Sequence, residues 1–210
     1  RGFSGAGTGD RAGLGEIKFI GRAVLLLTPT AISQKAGDTL GGFPLVNLIN
    51  NSGFATPPDA GSFANLAHNA SGNTWVTATA ASPNYFSAGR PAPQFLLTLA
   101  DTFDLSHLVV WGYGGNNNEA SDFMVEFSTD GGTTFGGAET VQTAKLLGGN
   151  AASLAFAQKH AANAARLTMT NNGGGRGFSG AGTGDRVGLG EIKFLGTLPE
   201  ASPQPTLTLA

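Results

Sequence analysis

The chain has 210 residues, 33 of them glycine, with 12% charged residues, a formal net charge of −2 and no cysteine. That length suffices for one well-buried domain. The near-neutral balance offers no basic stripe for nucleic acid and no basic amphipathic helix for a membrane surface, and the lack of thiols excludes disulfides and thiolate metal sites.

Low charge with abundant Gly, Ala, Thr and Asn suits an extracellular or cell-surface protein. The chain opens on Arg1 with no signal-peptide pattern, which reads as a mature or trimmed product. Its longest apolar run, Ala23–Thr28, is far too short to span a bilayer.

In chain order, the first feature is a repeat. "RGFSGAGTGDRAGLGEIKFIG" at Arg1–Gly21 returns as "RGFSGAGTGDRVGLGEIKFLG" at Arg176–Gly196, with Ala12/Val187 and Ile20/Leu195 as the only differences. Nothing else repeats. Residues 1–21 are therefore set apart, either as the tail of a preceding unit in a tandem array or as a strand given to a neighbouring subunit. In the second case Phe3, Leu14, Glu16, Ile17 and Phe19 form the assembly strand. An open strand edge is a template for another chain, and adding a strand is a known recognition mode.

After Gly21 the text "RAVLLLTPTAIS" predicts the first strand of the main domain, 22–196. Two strands are expected at Gln94–Ala100 and Leu105–Tyr113, joined by a polar turn around Asp101 and Asp104. The second is apolar on both faces, so it is expected to be central and covered. Asp122–Thr129 alternates, with Phe123, Val125 and Phe127 on one face, and Asp130-Gly131 supplies a turn. The alanine-rich stretch Asn150–Arg166 is the one segment that reads as helical. Ala165–Thr170 alternates through Leu167 and Met169. Leu189–Gly196 closes the series with Ile192 and Phe194 on one face. Residues 197–210 hold three prolines and read as a linker or tail. Many short strands with regular turns predict an all-β fold, a two-sheet sandwich or jelly roll.

The stretch "FLLTLADTFDLSHLVVWGYGGNNNEASDFMVEFSTDGGTTF", then "ARLTMTNNGGG", then "DRVGLGEIKFLG" resembles the discoidin-like, coagulation-factor type-C group of galactose-binding-like domains. "LINNSGF" and "NTWVT" resemble that family's ligand-loop region and its core Trp. The resemblance spans Val46 to Gly196 and implies a jelly-roll β-sandwich that is mostly non-catalytic and binds sugar, lipid or protein. It also implies a structural Ca²⁺ held by Glu191 with Asn50, Asn51, Ser52 and Asp59 from the loop. Calcium needs six to eight oxygens, and Asn50 stands where the family often has Asp. The other reading of Glu191 is a solvated strand residue alternating with Ile192.

Sugar recognition needs an exposed aromatic ring beside amide or carboxylate hydrogen-bonding groups. Tyr113, followed by Asn116, Asn117, Asn118 and Glu119, has that chemistry on a loop, although Tyr113 also suits a plain turn. Trp75 and Trp111 read as core. His68, His107 and His160 fall on unrelated elements and offer no zinc or iron spacing. "GFSGAG" fails as a nucleophile elbow and "GAGTGD" as a phosphate loop. Asn50 and Asn69 are formal glycosylation acceptors. Two functions follow. The first is a non-enzymatic extracellular structural module that assembles with copies of itself, or repeats in tandem, by strand complementation, with residues 205–210 as a second adhesive segment. The alternative is a carbohydrate-binding module using loops at one end of the sandwich.

Overall fold

The computed structural model describes residues 22–69, 72–78, 85–114, 118–146, 149–172 and 186–200. Residues 1–21, and with them the expected assembly strand of Phe3, Leu14, Glu16, Ile17 and Phe19, lie outside the described residues, as do Asn116, Asn117 and residues 201–210.

The expected first strand is two strands, β1 (Leu25–Leu27) and β2 (Ala31–Ala36). Pro29 separates them, having no N–H to give a ladder. A short 3-10 turn at Leu45–Leu48, another at Phe63–Asn65 and β3 (Trp75–Val76) follow. The strands expected at 94–100 and 105–113 are one bent strand, β4 (Gln94–Trp111), rather than a pair joined by a turn. The polar residues mark a corner in that strand, where its pairing with the neighbour jumps from Thr98 to Phe103. Next come β5 (Asp122–Ser128), β6 (Gly136–Gln142), β7 (Ala151–Asn171), β8 (Gly188–Leu189) and β9 (Glu191–Thr197).

Strand β7 overturns the helical expectation for Asn150–Arg166. It lies between β4 and β5 and pairs antiparallel with both. Ala162, Ala164 and Ala165 are fully buried there. Small side chains let the neighbouring layers close on a central strand, so tertiary pairing overrides helix propensity. Among the described residues there is no α-helix, and no helix is long and apolar enough to cross a membrane.

The main sheet runs β1-β9-β4-β7-β5-β6, with β2 on the first part of β4, and β3 pairs with β8 separately. Because β4 and β7 both bend, each serves two layers. Residues 94–98 of β4 pair with β2 and with 164–168 of β7, while residues 104–111 pair with β9 and with 151–161 of β7. Phe95, Leu97, Phe123, Val125, Leu167 and Met169 from the first layer meet Leu105, Leu108, Val110, Ile192 and Phe194 from the second in one core. This is a β-sandwich, as the sequence leads one to expect. Trp75 anchors it, edge-on to Phe95 at 4.9 Å between ring centroids.

The outer face of β9 and the end of β4 is covered too. Val109, Trp111 and Leu195 form a second cluster under Phe54, Ala60 and Phe63. Trp111 Nε1 donates to Leu66 O at 2.8 Å, which satisfies its one polar atom. At the opposite end of β5 from the 113–119 loop, Asp130 closes the turn into β6. Its carboxylate accepts from Ser128, Thr133 and Thr134, which holds it well below the usual carboxylate range, and Gly131 and Gly132 supply φ of +73° and +91°.

Replacing Phe95, which is completely buried, with Ala removes its contact with Trp75 and leaves a cavity. The expected cost is about 3–5 kcal/mol of unfolding free energy, read from the midpoint of urea denaturation with the slope unchanged.

Candidate functional site

Loops at one end of the sandwich gather around Gly188 of β8. The Tyr113 ring lies across it so closely that a Cβ at position 188 would come within 2.5 Å of Tyr113 Cδ2. The ring is thereby held half-buried against a strand rather than hanging in a loop. Burial pushes the Tyr113 phenol up, while the nearby Thr74 hydroxyl and Arg186 guanidinium pull it back. Asn172 Oδ1, at the same end beside Arg186, is buried without a hydrogen-bond partner.

Arg186 enters this site from the glycine-rich segment before β8, and the sequence reading did not single it out. Its Nη1 donates to Thr77 O at 2.7 Å and to Ala78 O. Its backbone N–H donates to Asn118 Oδ1 at 3.0 Å, and Gly188 N donates to Asn118 O at 2.6 Å. Asn118 thus staples the 113–119 loop to the start of the closing segment. The available sequence signal was a lone cation, present in both copies of the repeat as Arg11 and Arg186.

Glu119 corrects the expectation of a solvent-facing sugar ligand. It is 2% exposed, bridges to Gly188, and its Oε2 accepts from Leu146 N at 3.0 Å. Burial pushes its carboxyl up, with the Leu146 and Gly114 N–H groups and the Lys145 charge opposing. It braces two loops from inside. Tyr113, Asn118 and Glu119 lie together at this end, Glu119 buried and both Tyr113 and Asn118 partly exposed. Tyr85 is 1% exposed and Trp75 and Trp111 are fully buried, so none of the three offers a ring face to a ligand.

The residues expected to hold Ca²⁺ do not gather around a common point. Asp59 is exposed, and its Oδ1 accepts from Gly61 N and Ser62 N at 2.8 Å each. Asn50 Oδ1 accepts from Ser52 N at 2.9 Å. Only Asn51 meets Glu191, its N–H donating to Oε1 at 3.2 Å. The cation in that place is Lys193. Its Nζ donates to Thr28 Oγ1 and Asn51 Oδ1 at 2.7 Å each and to Glu191 Oε1 at 3.2 Å. An ammonium seated among these oxygens leaves no room or charge for a divalent ion, so the set does not fit calcium. Nor is Glu191 the solvated strand residue of the other reading. It is completely buried, and burial pushes its carboxyl up and the Lys193 ammonium down against their mutual attraction. Among the described residues, no group of three or more His, Asp or Glu could hold a metal ion.

A cleft of about 360 Å³ lies at the far end of β5 between Phe127, Thr134, Phe135, Gly137 and His160. His160 stacks on Phe127 at 4.0 Å, and its Nε2 lies 2.8 Å from Glu139 Oε1.

No protein-family model matches the sequence, and no curated protein matches it. Solved structures do match. The CBM32-1 and CBM32-2 domains of ZmpB from Clostridium perfringens superpose with a TM-score of 0.54 at 12% identity, over 83% of this chain and 36% of that one. The C-terminal domain of a chitobiase from Bacteroides fragilis gives 0.52 at 13% identity, over 83% of this chain and 99% of that one. The fold is the galactose-binding-like β-sandwich of the CBM32 modules. This chain spans about a third of the two-module ZmpB chain and 15% of a longer ZmpB chain that adds the M60 catalytic domain. At these identities the likeness is one of fold.

Two outcomes test this geometry. Thr28→Val removes one acceptor of a buried ammonium and is expected to cost about 1–3 kcal/mol in chemical denaturation, while added Ca²⁺ leaves the midpoint unchanged. A calcium-dependent rise in the midpoint would restore a metal site here. His68 supplies the second test. Both its ring nitrogens are buried without partners, and burial lowers its pKa from 6.5 to about 4. The unfolded chain therefore binds a proton that the folded chain refuses between those two values. Stability is expected to fall as pH drops from about 6.5 to about 4, by up to roughly 3 kcal/mol, and to be flat in this term above that window. His68→Phe removes that slope, as read from urea midpoints across pH.

Proposed function

We propose that this chain is a non-catalytic carbohydrate-binding module whose glycan site is the loop end around Tyr113 and Arg186. One observation carries the reading: a tyrosine ring packed against Gly188, with a guanidinium beside it anchored by two backbone carbonyls. A fixed ring offers a face for the C–H side of a sugar, and an oriented cationic donor suits ring hydroxyls. Sites of this kind owe their specificity to a few placed polar groups around an apolar surface. The CBM32-like fold supports the same class of ligand. A glycan partner in turn suits an extracellular or cell-surface location, and no enzymatic role is assigned to the chain.

Glycan-array screening followed by calorimetry tests this. The intact protein is expected to bind at least one glycan class. Tyr113→Ala should weaken that binding at least tenfold, about 1.4 kcal/mol or more, with little change in melting temperature, while Tyr113→Phe retains most of it. Binding that survives both Tyr113→Ala and Arg186→Met would move the site elsewhere on the sandwich.

A further inference from the structure

Strand β9 fills a slot with narrow requirements. It runs between β1 and β4, with Leu25 opposite Gly196 and Leu27 opposite Phe194 on one side, and Leu108 opposite Phe194 and Trp111 opposite Glu191 on the other. All seven of its residues are buried. A Cβ at Gly190 would come 2.8 Å from both Gly112 O and the His68 ring, and one at Gly196 would come 3.0 Å from Asp104 O. Glu191 and Lys193 must pair and must meet Asn51 and Thr28. Ile192 and Phe194 must enter the core.

The chain contains a second segment that meets every one of these requirements. Gly13, Leu14, Gly15, Glu16, Ile17, Lys18, Phe19, Ile20 and Gly21 match residues 188–196 position by position, with Ile for Leu195 as the one change. Its connection fits as well. Gly196 stands opposite Leu25 in an antiparallel ladder. Gly21 in the place of Gly196 would leave only residues 22–24, all exposed, to turn the chain into β1. Three-residue loops are among the commonest hairpin connections, and antiparallel neighbours are what a hairpin joins. The N-terminal copy would thus need only a short hairpin loop to enter the slot.

We propose that residues 13–21 are an alternative closing strand for this domain, able to replace residues 188–196 as a hairpin with β1. The two copies exchange for one slot. The copy left out is a free strand that fits the same slot in a second copy of this chain, so the interaction surface is the β1–β4 slot and its partner is the protein itself. Val187, fully buried in the core, is Ala12 in the other copy. That loss of packing favours the C-terminal copy, which is the one in place.

The test uses the full chain. Gly190→Val blocks the C-terminal copy, and Gly15→Val blocks the N-terminal one. Each single variant is expected to melt cooperatively, Gly15→Val unchanged and Gly190→Val lowered by only a few degrees. The double variant is expected to lose about 5–10 °C or more relative to Gly190→Val. Equal damage from Gly190→Val and from the double variant would overturn the proposal. A disulfide trap reads the exchange directly, since the chain has no cysteine of its own. His107 stands opposite Leu195, whose counterpart is Ile20. In the Gly190→Val background, His107→Cys with Ile20→Cys should form a disulfide, within one chain or between two as size-exclusion chromatography reports. Failure to form it, while His107→Cys with Leu195→Cys cross-links in the unblocked chain, would also overturn the proposal.

Discussion

The Glu191 carboxylate and the Lys193 ammonium lie 3.2 Å apart on a strand whose side chains are all buried. Such a pair is costly to bury, and breaking it by removing one partner is costlier than replacing both. Its effect here is positional. Asn51 accepts from Lys193 and donates to Glu191, and it adopts the left-handed region at φ 60°, the one non-glycine residue among those described to do so. That conformation turns the loop so that Phe54 falls edge-on to Trp111 at 5.0 Å. The ion pair therefore fixes the loop that covers the second apolar cluster, and the cluster in turn keeps water from the pair. Remove either and the other faces solvent.

The same strand sets the loop end where the glycan site is proposed. β8 and β9 are separated by Gly190 alone, so the position of Glu191 dictates where Gly188 lies and hence where Tyr113 rests. Gly190 N donates to Trp111 O at 2.9 Å, which ties the step to the end of β4. Glu119, buried beside this step, links the 112–114 loop to Leu146. The ring surface offered by Tyr113 is held from beneath by a strand and from the side by a buried carboxylate. A ligand resting on that ring, as proposed, would spend no binding energy on ordering it.

Much of this was legible from the residues, and the failures have physical causes. β5 alternates Phe123, Val125 and Phe127 against Met124 and Glu126 because only one of its faces enters the core. β7 hid because alanine serves as well in a helix as in a crowded central strand, and its extended state is decided by β4 and β5 on either side. β9 gave the right inward face, Ile192 and Phe194, but the wrong fate for the other one. Alternation assumes that the second face meets water. Here the 51–63 loop covers it, and no local pattern in β9 announces a loop more than a hundred residues away. Arg186 was hidden for a related reason: its value lies in the carbonyls of Thr77 and Ala78, which only the pairing of β3 with β8 brings within reach.

The repeat and the binding end are linked by which residues the duplicated segment includes. It holds not only the closing strand but also Arg186 and Gly188, whose counterparts are Arg11 and Gly13. A shorter duplication, of β9 alone, would be enough to fill the slot and would leave the site without its guanidinium. On the proposed exchange, the copy that closes the domain would bring its own glycine, Gly188 or Gly13, beneath the Tyr113 ring, with its own arginine, Arg186 or Arg11, just before it. Tyr113, Thr77 and Asn118 come from outside the repeat and stay with the body of the domain. Exchange of the closing strand would then conserve the residues that surround Tyr113 at the loop end.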